Sequence, residues 1–439
     1  MQINELQDLL IDMQKNNLPL GIPRQISINE APGMATTIIG VRRCGKSTLC
    51  RQISHRLLEN EVPQENIVFL DFFDDRLWEL LPAGNIGLLP DAYYSLFPMK
   101  RYAECVYFFF DEIQLVQRWE PFIDRLQRTE NCKIYLTGSS AKLLSTEVST
   151  EMRGRSLSWE LFPISFREFL SWKGLQTTLP MAAKDKAHAM HAFDEYWNVG
   201  GFPRVLSSDA YMRIMIHQQY FESMILRDIV ERHDISHPKA LSNLMHRLVA
   251  SIGSLYSVNK LTEYVKSIGY NVPKASISDY LEWIDDAFVL FTVRKYDESF
   301  SKSNVNSKKI YCIDHALARS ICPKISKDDG HLLENVVFIG LRSMTKSVYY
   351  YRTSKLTEVD FFVQRRDLFP LLVQVCYTIE DTKTRRREVD ALSQAMKEVG
   401  APQGYLVTYS HEERIDTSAG VIAVMPAWRF LLEIASMLP

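Results

Sequence analysis

The chain has 439 residues, 46% of them hydrophobic and 24% charged, with a formal net charge of −2. That is ordinary for a globular protein of about two to four domains, and it excludes a globally basic nucleic-acid binder, so any such contact must come from a local patch. Seven dispersed cysteines without a C-x-x-C pair argue for a reducing compartment and against a disulfide frame or zinc site. With no signal-like N-terminus and no apolar run long enough to cross a membrane, the expected location is the cytoplasm and no membrane partner is expected.

Residues up to about 30 read as a helix followed by a lead-in containing Pro19, Gly21 and Pro23. Residues 36–39 then form a short apolar run, and Gly40-Val41-Arg42-Arg43-Cys44-Gly45-Lys46-Ser47 follows it. This octet fits the phosphate-binding pattern G-x-x-x-x-G-K-[ST] and sits between a predicted strand and a helix that continues from Thr48. The glycines let the backbone wrap a phosphate, and the helix N-terminus aims unpaired N–H groups at it. In that pattern Lys46 reaches the β- and γ-phosphates and the Ser47 hydroxyl ligates magnesium. Arg42 and Arg43 add positive charge, although side chains inside such loops commonly face solvent.

Further apolar runs at 67–73, 105–110, 133–136 and 157–162 alternate with helical stretches, as in a parallel sheet covered on both faces. The run at 106–110 ends in Asp111 and Glu112, which places two carboxylates at the C-terminal tip of a buried strand, where open α/β sheets bind ligands. Asp111 is the expected magnesium ligand and Glu112 the base for an attacking water. The next strand ends in Thr137-Gly138-Ser139-Ser140. Thr137 or Ser139 either senses a phosphate and positions water or simply forms a capping turn. Arg153 and Arg155 precede the last run; each is either an arginine finger facing a neighbouring subunit's nucleotide or a surface arginine paired with a carboxylate. The strand at 67–73 lies between loop and acid pair in sequence and is expected to separate them on the sheet.

These features resemble the additional-strand P-loop ATPases of AAA type. More particularly, the chain is similar to prokaryotic AAA-like ATPases with a C-terminal DUF4143 region, the AAA_14/DUF4143 architecture. The similarity is carried by residues 40–49, 110–114 with Trp119, 136–144, Arg153-Gly154-Arg155 and 160–169, and by Gly200-Gly201-Phe202-Pro203, Arg227-Asp228-Ile229 and Glu358-Val359-Asp360-Phe361-Phe362. It implies ATP and Mg²⁺ as cofactors, ATP hydrolysis, and a homo-oligomer for which a hexameric ring is one arrangement.

Residues 166–235 read as mostly helical. Beyond them, helices at 241–252, 258–267 and 274–287 and strands at 289–296 and 308–313 resemble a winged-helix domain. Residues 236–310 hold ten Lys/Arg against seven Asp/Glu, a mild basic excess of three. The third helix turns Ile277, Tyr280, Leu281, Ile284 and Phe288 to one face and Asp279, Glu282, Asp285 and Asp286 to the other, which disfavours deep insertion into a DNA groove. Arg294, Lys295, Lys302, Lys308 and Lys309 therefore form the expected wing surface, touching the DNA backbone with little sequence readout; a protein-docking winged helix or a solvated loop fits as well.

The C-terminal part resembles a restriction-endonuclease-like fold. Glu334 lies on a predicted helix, Asp360 matches the first acid, Gln374 takes the second position, and Cys376 stands where such nucleases carry lysine. A neutral thiol cannot support the attacking water or the developing charge, so a degenerate domain used for binding or assembly is expected. The domain reading is a P-loop ATPase core at 1–165, a helical lid or linker at 166–235, a winged helix at 236–320 and a nuclease-like α/β domain at 321–439. Alternatives to an ATPase acting on DNA are a nucleotide-controlled switch that binds a protein, and an ATP-coupled nuclease.

Overall fold

The apolar runs of the N-terminal third become strands that are mostly buried, except the last, Ser156–Glu160, which lies at the sheet edge and is exposed or half-buried, contrary to the expectation for the run at 157–162. In the computed structural model, which describes residues 2–15, 19–81, 86–139, 154–297 and 307–438, the chain divides into two units, Met1–Phe162 and Pro163–Pro439.

In the first unit, α1 (Gln2–Lys15), β1 (Ala35–Gly40), α2 (Lys46–Glu59), β2 (Ile67–Asp71), α3 (Asp75–Leu80), α4 (Leu88–Leu96), β3 (Val106–Asp111), α5 (Trp119–Thr129), β4 (Cys132–Ser139) and β5 (Ser156–Glu160) follow in order. The five strands pair in parallel in the order β2-β3-β4-β1-β5. Every residue of β1 is buried, as a strand covered on both faces requires. This order corrects one expectation. The strand between the phosphate loop and the acid pair is β4, whereas the run at 67–73 supplies the edge strand β2. Each βαβ crossover can land beside or beyond its predecessor, so spatial order does not follow chain order.

The second unit opens with helices: α6 (Phe166–Trp172), α7 (Ala183–Val199), α8 (Ala210–Ser223) and a π-helical turn at Met224–Val230. Ser165 and Glu168 form a reciprocal capping box that fixes the start of α6. Gly200 and Gly201 lie against Asp314. A Cβ on Gly200 would stand 2.5 Å from Asp314 Oδ1, and the Gly201 N–H donates to Asp314 Oδ2 at 2.6 Å, so only glycine fits at 200.

Next come α9 (Pro238–Val249), β6 (Leu255–Tyr256), α10 (Val258–Ser267), α11 (Lys274–Asp286), β7 (Leu290–Val293) and β8 (Lys308–Cys312). Three helices thus accompany an antiparallel sheet of order β6-β8-β7. Ile277, Tyr280, Leu281 and Ile284 of α11 are buried as the periodicity predicts. Asp285, expected on the outer face, instead accepts hydrogen bonds from the Thr292 N–H (3.0 Å) and hydroxyl (2.8 Å).

Finally, α12 (His315–Ile321), α13 (Asp329–Met344), β9 (Val348–Arg352), β10 (Glu358–Val363), β11 (Leu371–Val375), α14 (Thr382–Val399), β12 (Gln403–Thr408), β13 (Glu413–Thr417), β14 (Gly420–Pro426) and α15 (Ala427–Met437) build a mixed six-stranded sheet of order β13-β14-β12-β11-β10-β9. Val359, Phe362, Leu372, Leu392, Leu406 and Val424 form its core. Among the described residues, no helix is long and apolar enough to cross a membrane.

Candidate functional site

Gly40 ends β1 where the chain must turn under the end of β5. A Cβ there would meet the Leu161 carbonyl oxygen at 2.2 Å, so no larger residue fits. Arg43 (φ 70°) and Gly45 (φ 106°) carry the loop through the left-handed region, and Gly45 caps α2. Cys44 is buried inside the loop, and burial pushes its thiol up, so it is a neutral packing group. Lys46, the first residue of α2, is also buried; its ammonium donates to Gly40 O (3.1 Å) and Val41 O (3.3 Å). Thr48 follows on α2 and packs beneath the lead-in, where a Cβ on Gly21 would stand 2.9 Å from its methyl group.

One residue that sequence reasoning missed organises this loop. Arg24 donates from its two terminal nitrogens to Cys44 O (2.8 Å) and Phe162 O (2.7 Å), tying the phosphate-type loop to the end of the sheet. Gln52 of α2 fastens the lead-in: it accepts from the Arg24 N–H (3.0 Å) and donates to Leu20 O (2.7 Å) and Ile22 O (2.8 Å). No local motif marks Arg24. The only hint was a Pro/Gly lead-in before the loop strand.

Asp111 is buried at the tip of β3 and accepts hydrogen bonds from the Ser47 and Thr137 hydroxyls. Burial pushes its carboxyl up to about 6, with those two hydroxyls pulling the other way. Thr137, fully buried on β4, in turn accepts from the Glu112 backbone N–H at 3.0 Å. Glu112 leaves the strand in the left-handed conformation (φ 56°), and its carboxylate accepts from Gln114 Nε2 at 2.5 Å. Loop, acid pair and the polar tip of β4 are thus one hydrogen-bonded set. Ser139 pairs in register with Gly40, placing its backbone beside the loop.

Arg155 makes a 2.8 Å ion pair with Asp124 of α5 in the same chain, the carboxylate-pairing alternative. Arg153 lies outside the described residues, as does Lys302.

The expected wing surface is corrected at one position. Lys309 is buried, and its ammonium is ion-paired with Glu334, Glu358 and Asp360, so it cannot face a DNA backbone. Arg294 and Lys295 extend β7 onto the edge of the larger sheet: Tyr350 N–H donates to Arg294 O (3.0 Å) and Tyr296 N–H to Tyr350 O (2.8 Å). Lys308 is half-buried, and burial lowers its pKa. The four residues of the nuclease-like set do converge. Glu334 of α13, Asp360 of β10 and Gln374 of β11 line one cavity of about 610 Å³ with Cys376. The Cys376 thiol donates to Thr378 O at 3.0 Å, and burial pushes it up to about 11, so it supplies no charge.

A family model described as an AAA domain, AAA_14, matches residues 33–170. Two described as domains of unknown function follow, DUF8612 over 190–328 and DUF4143 over 329–430. An uncharacterized protein of Methanocaldococcus jannaschii is 31% identical over 421 residues, covering 94% of this chain and 91% of that protein. The chain belongs to the AAA_14/DUF4143 family. An uncharacterized protein of Haemophilus influenzae is similar at 30% identity over 347 residues, 78% of this chain and 82% of that one. Two solved structures align with lower similarity. The Aeropyrum pernix ORC1 protein in complex with DNA has TM-score 0.28 and 12% identity, and Cdc6p of Pyrobaculum aerophilum has 0.23 and 13%; each match covers 74% of this chain and 93% of the other. Scores that low carry neither fold nor function over. The N-terminal unit is therefore an AAA-type ATPase-family domain on an α/β parallel sheet, and the DUF4143 region contains the Asp360–Gln374 cavity.

Proposed function

We propose that the N-terminal unit binds ATP with magnesium and hydrolyses it. The observation that carries this is the hydrogen-bonded Ser47–Asp111–Thr137–Glu112 set, with Asp111 and Thr137 buried, beside a glycine-bounded loop whose lysine is also buried. In this reading the backbone from Gly40 to Ser47, including Arg42, Arg43 and Cys44, wraps the phosphates, with Thr48 in the first turn of the helix behind them. Lys46 exchanges its two loop carbonyls for phosphate oxygens. The oxygen donors of Ser47 and Asp111 suit a hard cation, which when bound neutralises charge on the phosphates. Glu112 takes the proton of the attacking water. Thr137, bonded to both acids, is a positioning residue that keeps Glu112 in place. Magnesium-dependent ATP turnover that Lys46→Ala abolishes is the expected result; turnover untouched by that change removes the site from the reading.

We further propose DNA as the client of the second unit, bound by backbone contacts, in a homo-oligomer. The support is the three-helix, three-strand segment, similar to a winged helix, with Arg294, Lys295 and Lys308 as the described residues left to its expected wing surface once Lys309 is removed. A second reading, a protein partner, is favoured by one feature of α8. Tyr211, Met212, Ile214 and Met215 are exposed at 71%, 45%, 46% and 48%, an apolar surface of the kind that marks protein contacts. ATP turnover measured alone and with single-stranded, duplex and branched DNA separates the two. Stimulation supports DNA; slow turnover with retained nucleotide and no response to DNA supports a protein partner.

A further inference from the structure

Lys309 presents an arrangement that the ATPase reading does not use. Its Nζ lies 2.8 Å from Glu334 Oε1, 2.8 Å from Glu358 Oε1 and 2.8 Å from Asp360 Oδ1. Two of its three N–H donors are hydrogen-bonded, to Glu334 Oε1 and Asp360 Oδ1, and Glu358 completes the set as an ion pair at the same distance. The lysine comes from β8 of the small sheet, while its partners come from α13 and from β10 of the large one.

The carboxylates are held toward that one point by other bonds. Glu334 Oε1 also accepts from the Tyr311 hydroxyl at 2.6 Å, and Asp360 Oδ2 accepts from the Val375 N–H at 3.0 Å. The Asp360 N–H donates to Gln374 Oε1 (3.2 Å), and Gln374 Nε2 donates to Glu388 Oε2 (2.8 Å). Lys309 is itself buried, and three carboxylates at 2.8 Å surround its Nζ, the compensation that a buried ammonium requires.

Oxygen ligands from separate elements, fixed around a common centre, are what a hard divalent cation requires. Here a cation already sits at that centre, and it is part of the chain. The lysine keeps the oxygens at an ammonium spacing of 2.8 Å, longer than the roughly 2.0–2.6 Å of metal–oxygen bonds.

We propose that Glu334, Glu358 and Asp360 form a divalent-cation site whose resident cation is the Lys309 ammonium, so that the cavity excludes metal while Lys309 is in place. The missing nuclease-type lysine at Cys376 is thus not restored by Lys309, which replaces the metal instead of standing beside it. The same bond joins the three-helix segment to the six-stranded sheet. Removing the ammonium leaves three acids facing one another, with Arg387 on the cavity wall as the remaining guanidinium near Asp360, which favours recruitment of a cation.

The test is Mn²⁺ binding to the full chain without nucleotide at pH 8, read by electron paramagnetic resonance and by calorimetry, for wild type, Lys309→Met, Lys309→Met/Asp360→Asn and Asp360→Asn. The expected result is one additional Mn²⁺ per chain in Lys309→Met, bound at least about tenfold tighter than any Mn²⁺ in the wild type and lost in the double variant. A folded Lys309→Met protein without that site overturns the proposal. So does a wild-type Mn²⁺ that Asp360→Asn removes, because metal and lysine would then coexist. If Lys309→Met does not fold, the comparison of wild type with Asp360→Asn still decides: Mn²⁺ binding that is the same in both supports the proposal, and an Asp360-dependent Mn²⁺ overturns it.

Discussion

Replacing Gly40 by alanine probes the cradle of the candidate nucleotide site directly. The added Cβ would lie 2.2 Å from Leu161 O, 3.1 Å from Leu161 C and 3.2 Å from Cys44 Sγ. Ordinary carbon–oxygen contacts begin near 3.3 Å, so the end of β5 must retreat by about 1 Å. That movement breaks the 2.7 Å hydrogen bond from Leu161 N–H to Ile39 O and disturbs the Arg24 bond to Phe162 O. A lost hydrogen bond costs about 1 kcal/mol and overpacking a fixed backbone roughly 1–3 kcal/mol, so the N-terminal unit should lose about 2–4 kcal/mol. Urea unfolding, followed through the transition of that unit, measures the loss, and titration with a fluorescent ATP analogue measures the cradle. Affinity should fall at least about tenfold, because misplacing binding groups by about 1 Å is expensive. A Gly40→Ala protein as stable as wild type, with unchanged nucleotide affinity, would refute the reasoning.

Glu112→Gln should retain ATP binding and slow hydrolysis by about 10²–10⁴, the usual loss when a general base is removed; wild-type turnover would exclude Glu112 from the chemistry. Arg155→Ala and Asp124→Ala should be non-additive in stability by about 0.5–1 kcal/mol, the range for a partly exposed pair, and mixing Arg155→Ala with Lys46→Ala protein should restore no turnover. Complementation in that mixture would make Arg155 a finger acting in trans. His315 is buried against Trp197 O (3.1 Å), and burial holds its pKa down at about 4 with Asp314 opposing. The unfolded chain takes up a proton near pH 6.5 that the folded chain refuses, so stability present above that pH is lost as pH falls toward about 4. The wild type's advantage over His315→Gln should shrink by roughly 3 kcal/mol between pH 7.5 and pH 4; a pH-independent difference would show that the imidazole does not titrate this way.

What the sequence made legible was local. Residues 40–47 and the acid pair at 111–112 are signalled by contiguous residues whose chemistry fixes their geometry, and helices α10 and α11 follow from apolar periodicity and local stops. What it hid depends on pairing between distant residues. The order that places β4, not β2, between loop and acids is set by crossovers that leave no local mark. Lys309 counts as one more positive charge in a basic segment until Glu334, Glu358 and Asp360, far along the chain, close around it. A signal was present in hindsight: Lys309 and Tyr311 lie two apart on β8, hence on one face, and both reach Glu334. Arg24 was invisible for the same reason, since its acceptors are backbone carbonyls at 44 and 162.

The most direct test of the central claim is equilibrium binding of ATP to the purified full chain with magnesium, wild type beside Lys46→Ala. Saturable binding near one nucleotide per chain, lost in the variant, is the predicted result. No affinity for ATP in the wild type, or equal affinity in both proteins, would contradict it.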